Sequence, residues 1–504
     1  MIKGFKDFCL PSDIESHLSE LREMSDIEIA KKSFQYCTEF SKNTHQNVPA
    51  YGQFLTTKGV KTVSPKIFKS LPCMNKGNYL QTYGLDQLMY SSDLNQMNTF
   101  SSSSGSSGIW TYFPRGKQQD KQYEYITEMF LNNQFNIKHK RTLAIIGFGM
   151  GIWIAGIFTY KILNCISEKG YPLSIAPVGP DKKTFIDVVT QMGDYFDQIL
   201  FIGYPPVIMD IIDAATYEGI RLKKFNIKVI TAAESFSEDF RDSLVKKLGI
   251  KNSYTDVLNI YGSADLGAMA HETPLAVYIR KQALENKALF QALFPNVKTV
   301  PTLAQYYPYL TYFEEDEGDL IATGYGSGIP LVRYQLHDRG GVHSYTDIKT
   351  IFKSFNIDLD KAISDLSLSH TVLKLPFVYE YERSDFAFMY KGINIYPMYI
   401  KKGLSDNRIN QFVTGKFTTI KKQLSKKKDS VTIHVELKKG CLPTGSLHKA
   451  VSKSVIDNLR QQSNEFDSLS KSDFFDKGPG IKLHAYEDNA IFGGGTKHQW
   501  LKVI

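Results

Sequence analysis

Residues 100–108 read Phe-Ser-Ser-Ser-Ser-Gly-Ser-Ser-Gly, and the chemistry open to such a run is anion binding. Small hydroxyl residues around paired glycines leave the backbone amides of Ser103, Ser104, Gly105, Ser106, Ser107 and Gly108 clear of side-chain bulk. Those amides can converge on a phosphate, with the hydroxyls as further donors. Tyr123, Ile126 and Phe130 follow at helical spacing and predict a helix whose positive end adds to the same field. A flexible Ser/Gly linker is the competing reading. Position argues against it, because apolar Phe100 precedes the run and Ile109 and Trp110 follow it, deep inside the chain.

Such a loop needs a scaffold. Short β-rich apolar runs recur at 143–148, 173–178, 199–203, 229–233 and 257–261, separated by amphipathic stretches such as 183–192 and 237–248. The alternation predicts an α/β fold with a mostly parallel, helix-covered sheet. Open sheets of that kind bind ligands beyond the carboxyl ends of their strands, where Glu234 and Asp265 follow two of the runs. After Asp338 the pattern becomes mixed, and 430–437 alternates as a half-buried strand does.

Composition narrows the class. The chain has 504 residues, 42% hydrophobic and 22% charged, which suits a globular protein of at least two domains. Its five cysteines are scattered and form no C-x-x-C pair, so neither a zinc knuckle nor a disulfide framework is expected, and a reducing cytoplasm is. The uncharged stretch 142–160 is long enough to cross a bilayer. Gly147, Gly149, Gly151 and Gly156 break it, so a buried strand, a turn and a buried helix are expected and no membrane span. The net charge of +8 is concentrated after Phe386, where 20 Lys plus Arg face 10 Asp plus Glu. Lys421, Lys422, Lys426, Lys427 and Lys428 form the densest run, read as a solvated helix face or as attraction for a phosphorylated cofactor or acidic partner. No nucleic-acid-binding module is present, and no nucleic-acid partner is expected.

Taken together, the motifs resemble the adenylate-forming superfamily of acyl-CoA synthetases and adenylation domains, most closely its phenylacetate-CoA ligase branch. The resemblance is collinear and runs from end to end. Asn47-Val48-Pro49-Ala50-Tyr51 is similar to N-V-P-x-Y, and Leu71-Pro72-Cys73-Met74-Asn75-Lys76 to L-P-x-x-x-K; neither is assigned chemistry. Residues 103–111 resemble S-S-G-T-T-G-K-P-T, residues 231–235 the segment containing G-A-E-P, and residues 259–265 D-I-Y-G-x-S-E. Residues 318–323 and 330–338 resemble G-E-L-V-x-T and P-x-I-R-Y-x-x-x-D. Residues 382–385 and 391–397 resemble G-R-S-D-D and R-G-V-N-V-F-P, and Gly495-Thr496-Lys497 lies near the end as G-K-x-x-R does.

The resemblance implies roles residue by residue. Ser103 to Gly108 would hold the β and γ phosphates of ATP. Ala233, Glu234 and Ser235 would flank the adenine, Tyr261 would pack on it beside Gly262, and Asn259 would accept from its exocyclic amine. Asp265 would help hold Mg2+, with one methylene less than the family's glutamate. Asp338 would accept from both ribose hydroxyls, with Arg333 and Arg383 completing the ATP-binding set. Asp385 would be the hinge between a large N-terminal domain, 1–384, and a small mobile α+β C-terminal domain, 385–504. Gly392, Ile393 and Asn394 would line the thiol channel. Lys497 would contact the reacting carboxylate and α-phosphate, with Lys502 as the fallback. Phe148, Trp153, Ala232 and Ile260 lie near the expected acyl pocket and suit an aromatic or apolar acid. Chain length beyond that of typical relatives falls around 285–312 and 352–372, read as insertions that cap a substrate or contact a partner.

The implied reaction joins two anions. A carboxylate attacks the α-phosphate of ATP, pyrophosphate leaves, and the acyl adenylate passes to a thiol such as coenzyme A or a phosphopantetheine with release of AMP. Rotation about Asp385 would exchange Lys497 for the Gly392 loop. The alternatives are an adenylating enzyme that loads a carrier protein or forms an amide, and a degenerate nucleotide-binding homologue without catalysis, to which Asp265 for glutamate, Ala232 for glycine and the altered hinge point. The oligomeric state is left open, a homodimer included.

Overall fold

The computed structural model describes residues 13–102, 111–152, 154–325, 328–383, 388–390, 393–425, 428–471, 478–492 and 500–503. Ser103 to Gly108, Trp153, Asp385, Gly392 and Lys497 lie outside the described residues, and of Arg383 and Asn394 only the backbone is described.

A hairpin of β1 (Thr99–Ser102) and β2 (Tyr112–Arg115) precedes the main sheet. The main sheet comprises β3 (Thr142–Ile146), β4 (Leu173–Ala176), β5 (Gln198–Gly203), β6 (Ile227–Ala232), β7 (Val257–Ser263), β8 (Gly267–His271), β9 (Thr302–Tyr306), β10 (Thr311–Asp316), β11 (Asp319–Gly324), β12 (Leu331–His343) and β13 (Phe377–Arg383). Among the described residues its order is β10-β11-β12-β13-β9-β8-β7-β6-β5-β3-β4. The half from β4 to β7 is parallel, as the apolar runs predict, and the rest is antiparallel. In the parallel half successive residues serve opposite faces. Leu143, Ile145, Ile199, Phe201 and Val229 join one core cluster, and Ala144, Ile146, Leu200, Ile202 and Ile230 the other. Helices Ile154–Glu168, Lys182–Met192, Pro205–Tyr217 and Glu238–Leu248 cover these faces. Asp181 and Ser237 cap two of them by accepting from backbone amides of the first turn.

Two sequence expectations are corrected. The stretch 285–312 is not an appended cap: it holds helix Lys287–Leu293 and then β9, which lies between β8 and β13 with every residue buried. Phe352, Leu359, Ile363 and Leu368, from the second excess stretch, pack in the cluster that covers β9 and β13. A central strand buries both faces, so the added chain is scaffold. Of the dense lysine run, Lys421 and Lys422 lie on β16 (Val413–Ser425) and Lys428 opens β17 (Lys428–Leu437), not a helix face; Lys426 and Lys427 lie outside the described residues. The β-branched residues on both sides, from Thr418 to Ile420 and Val431 to Ile433, favour that outcome.

After β13 the chain leaves the main sheet. β14 (Phe388–Tyr390) and β15 (Ile393–Ile395) form a hairpin, and β16 and β17 are flanked by β18 (Gly480–His484) and β19 (Leu501–Val503) in the order β18-β17-β16-β19. With helices Pro397–Leu404 and Gly445–Gln462 they enclose their own core around Ile400, Phe417, Ile433 and Val455. The fold is thus α/β with a large N-terminal part and a small α+β C-terminal part. Among the described residues no helix is long and apolar enough to cross a membrane; the uncharged stretch supplies β3 and the start of helix Ile154–Glu168.

Candidate active site

Side chains from the end of β7 and the turn after it meet side chains of β12, although β8, β9 and β13 lie between the two strands in the sheet, and they form two polar pairs. Tyr261, near the end of β7, donates its hydroxyl to Asp338 Oδ2 at 2.5 Å. Its ring stacks on Phe313 with centroids 6.2 Å apart. Tyr334 donates to Asp265 Oδ2 at 2.6 Å, and Lys76 Nζ lies 3.4 Å from Asp265 Oδ1. Asp265 and Asp338 are both buried.

β12 presents these groups because it is irregular. Its register against β11 slips twice, between Ala322 and Gly324 and between Asp319 and Ile321. Arg333 and His337, the residues within those slips, adopt positive φ of 48° and 61°. Bulges re-aim side chains, and Asp338 sits in the second one, opposite Arg383 of β13. Close backbone approach shapes the neighbouring turn as well: a Cβ on Gly262 would stand 2.5 Å from Gly267 O, and one on Gly267 would overlap the Tyr123 hydroxyl.

Beyond β6, Ala233 holds a left-handed φ of 72°, a conformation that costs an L residue about 1 kcal/mol. Asn259 ties this turn down, with its Nδ2 donating to Glu234 O at 3.1 Å and its Oδ1 accepting from the Thr231 hydroxyl at 2.9 Å. Its backbone amide donates to Glu272 at 2.8 Å. Glu272 belongs to a buried quartet in which Arg241 and Arg280 bridge it to Glu238. Burial opposes the charge on Glu238, yet the two arginines hold its carboxyl below the usual range.

From the smaller part of the chain, Lys401 Nζ lies 3.1 Å from Glu234 Oε2 and donates to Ser235 O at 3.0 Å. Lys416 pairs with the buried Asp210, and Lys438 lies 3.4 Å from Asp213. Burial works against the Lys416 charge, but Asp210 and Glu436 outweigh it and raise its pKa. Part of the basic C-terminal quarter therefore docks on acids of the main sheet's helices.

Of the residues singled out from sequence, Asn259, Tyr261, Gly262, Asp265, Asp338, Ala233, Glu234 and Ser235 come together along β7, β12 and the β6 turn. Arg333 is engaged elsewhere: its Nε donates to Glu314 at 3.1 Å and its Nη1 to Leu71 O. Phe148, Ala232 and Ile260 meet in a single apolar cluster, where Phe148 also packs edge-on against Tyr204. Ile393 lies on β15 against the C-terminal core. Lys502 donates to Ile491 O at 3.0 Å. The helix expected through Tyr123, Ile126 and Phe130 is Lys117–Phe135, and β2 (Tyr112–Arg115) lies between it and the Ser/Gly run. Three residues were missed: Lys76, whose motif was judged to carry no chemistry, Tyr334 and Arg115. Arg115 donates to Ser101 Oγ from Nε at 2.9 Å and Nη2 at 2.8 Å, and to Ala264 O. Its position at the foot of the β1–β2 hairpin was the available signal.

No family model matches the sequence, and no curated protein does. Solved structures do resemble it in fold. One is a 2-hydroxyisobutyryl-CoA ligase in the postadenylation state with 2-HIB-AMP, at 12% identity and TM-score 0.64, covering 96% of this chain and 91% of that one. The same ligase with 2-HIB-AMP and CoA in the thioesterification state gives TM-score 0.53 at 12% identity and the same coverage of both chains. An anthranilate CoA ligase with anthranoyl-AMP gives TM-score 0.47 at 10% identity, over 80% of this chain and 66% of that one. At these identities the likeness is one of fold, shared by the large and the small parts together.

Proposed function

We propose that the chain is an AMP-forming acid:thiol ligase, which activates a carboxylic acid with ATP to an acyl adenylate and transfers the acyl group to a thiol such as coenzyme A. The observation that carries the reading is the Tyr261–Asp338 contact beside Asp265, which brings three residues from two distant motifs to the carboxyl end of one sheet. The full-length fold likeness to a CoA ligase trapped with its acyl adenylate supports it.

In this reading Asp338 accepts from the ribose hydroxyls, a task suited to the two oxygens of a carboxylate. Tyr261 fixes Asp338 and offers its ring to the adenine. The Asn259-tied turn through Ala233, Glu234 and Ser235 borders the base, and the Ser103 to Gly108 run receives the β and γ phosphates. Arg333 stays outside the contact set, since Glu314 and Leu71 hold it. Asp265 suits magnesium: it is a buried carboxylate, held by Tyr334 and Lys76, that offers a hard oxygen ligand. That donor set fits an ion taking most of its oxygens from substrate phosphates. Bound there, magnesium would supply charge neutralisation to the leaving pyrophosphate. Lys497 aligns the carboxylate with the α-phosphate, and Gly392, Ile393 and Asn394 border the thiol path after the part following Asp385 turns. The acid is aromatic or apolar, received near Phe148, Trp153, Ala232 and Ile260. Residues 1–384 and 385–504 are the two units of this cycle, in a phenylacetate-CoA ligase-like enzyme of the cytoplasm.

Pyrophosphate release from ATP across a panel of aryl and fatty acids, with and without coenzyme A, tests the assignment. Acid-dependent pyrophosphate, AMP formation stimulated by coenzyme A, and loss of adenylation with retained ATP binding in Lys497→Ala are expected. ATP binding with no acid-dependent turnover would leave a non-catalytic nucleotide-binding protein. AMP formation only on adding a carrier protein or amine would move the acceptor to that class.

A further inference from the structure

Four arginines are buried among the described residues, and three have a carboxylate at hand. Arg241 and Arg280 share Glu238 and Glu272, and Arg333 has Glu314. Arg115 is the exception. The residue is 1% exposed; among the described residues its guanidinium donates to the Ser101 hydroxyl and the Ala264 carbonyl and stands 5.8 Å from the centre of the Phe113 ring, and Nη1 has no hydrogen-bond partner. The carboxylates whose fields reach it are already matched: Asp120 pairs with Lys161, and Asp265 with Lys76. A buried charge that lacks a counter-charge is costly, and burial does depress the Arg115 pKa, with Tyr123 and the two aspartates opposing. Arginine does not lose its proton in proteins, so the charge persists and the missing element is an anion.

Its surroundings say where that anion belongs. Arg115 closes β2, and Ser101, which takes two of its N–H groups, lies two residues before the Ser/Gly run. Because both N–H groups fall on the Ser101 oxygen, the hydroxyl proton is left to point elsewhere and is polarised as a donor. The next residue, Ser102, is 2% exposed, and its hydroxyl also lacks a partner. On the other side Ala264 immediately precedes Asp265. Unspent donors and an uncompensated cation thus sit between Ser102 and the acid proposed to hold magnesium.

We propose that Arg115 is the buried cation of a polyphosphate site, acting on the β and γ phosphates of a nucleoside triphosphate directly and through Ser101. This rests on the nucleotide reading above and deepens it by assigning the charge that the Ser/Gly run lacks.

The test compares ATP, adenosine and inorganic pyrophosphate binding to the full chain by calorimetry, for wild type, Arg115→Lys and Arg115→Met, with circular dichroism as the folding control. Arg115→Met is expected to weaken ATP and pyrophosphate roughly 10- to 100-fold, the size of a lost charge-assisted contact, and adenosine by less than about twofold. Arg115→Lys, which keeps the charge and loses the fork, should fall between; if the methionine variant does not fold, the lysine variant alone must weaken ATP and pyrophosphate and spare adenosine. Equal weakening of ATP and adenosine would show a merely structural role and overturn the proposal. So would unchanged ATP affinity, or an effect confined to the KM of the acid, which would place the substrate carboxylate at Arg115. Wild-type protein that binds neither ATP nor adenosine would remove the nucleotide reading itself, whereas wild type that binds both with the variants unchanged removes only the Arg115 assignment.

Discussion

Tyr261 and Asp338 lie 77 residues apart in the chain and share a 2.5 Å hydrogen bond. One comes from the last parallel strand and the other from a bulge in β12, with β8, β9 and β13 between them in the sheet order, so the contact draws a seam across the antiparallel half. In the proposed enzyme that seam receives the nucleoside.

Asp338→Ala is expected to raise the KM for ATP roughly 10- to 100-fold, by loss of a charged acceptor. Tyr261→Phe, which removes the hydroxyl contact and keeps the Asp338 carboxylate, should cost less. Wild type should discriminate against 2′-deoxy-ATP and 3′-deoxy-ATP, and Asp338→Ala should not. Steady-state kinetics with the three nucleotides checks this, and unchanged discrimination in the variant would dissociate Asp338 from the ribose.

Glu272 accepts from Arg241, Arg280 and the amide of Asn259 while fully buried. Glu272→Gln leaves two guanidinium groups sharing one remaining carboxylate. A loss of about 3–5 kcal/mol is expected, as for removal of one partner from a buried ion network. Urea denaturation measures it, and a loss below about 1 kcal/mol would mean the quartet relaxes.

Asp210 receives Lys416 across the junction of the large and small parts, with Lys182 3.9 Å away. Asp210→Asn should loosen that junction. Hydrogen exchange ought to accelerate in helix Pro205–Tyr217 and strand Val413–Ser425, while β3 and β5 keep wild-type protection. Uniform acceleration throughout would instead report global destabilisation.

His271 is buried against Phe130, and desolvation lowers its pKa to about 4 from the ordinary value of 6.5. The unfolded chain therefore binds a proton at this site at higher pH than the folded one. Stability from this group is fully present above about pH 6.5 and falls as pH drops toward 4, by about 3 kcal/mol in all. Urea midpoints between pH 7.5 and 4.5 should show this slope, and His271→Phe should flatten it.

Local pattern made a good part of the fold legible. The run 229–233 matches Ile227–Ala232 to within two residues, and 183–192 matches Lys182–Met192 to within one, because side-chain period and caps act over a single turn or strand. Where the alternation of strand and helix failed, so did the reading: β9 looked like added length, since nothing local announces that a strand will be central.

What the sequence by itself determined is the parallel strand runs with the helices between them, a Ser/Gly run and a lysine-rich C-terminal quarter. Each depends on neighbours a few positions away. Only the tertiary structure decided that Lys76 and Tyr334 meet Asp265, that Arg333 is committed to Glu314, and that Arg115, among the buried arginines of the described residues, is the one without an ion pair. These depend on the closure of long loops and on two bulges in β12, where packing across the sheet fixes which charges are matched and which await a ligand.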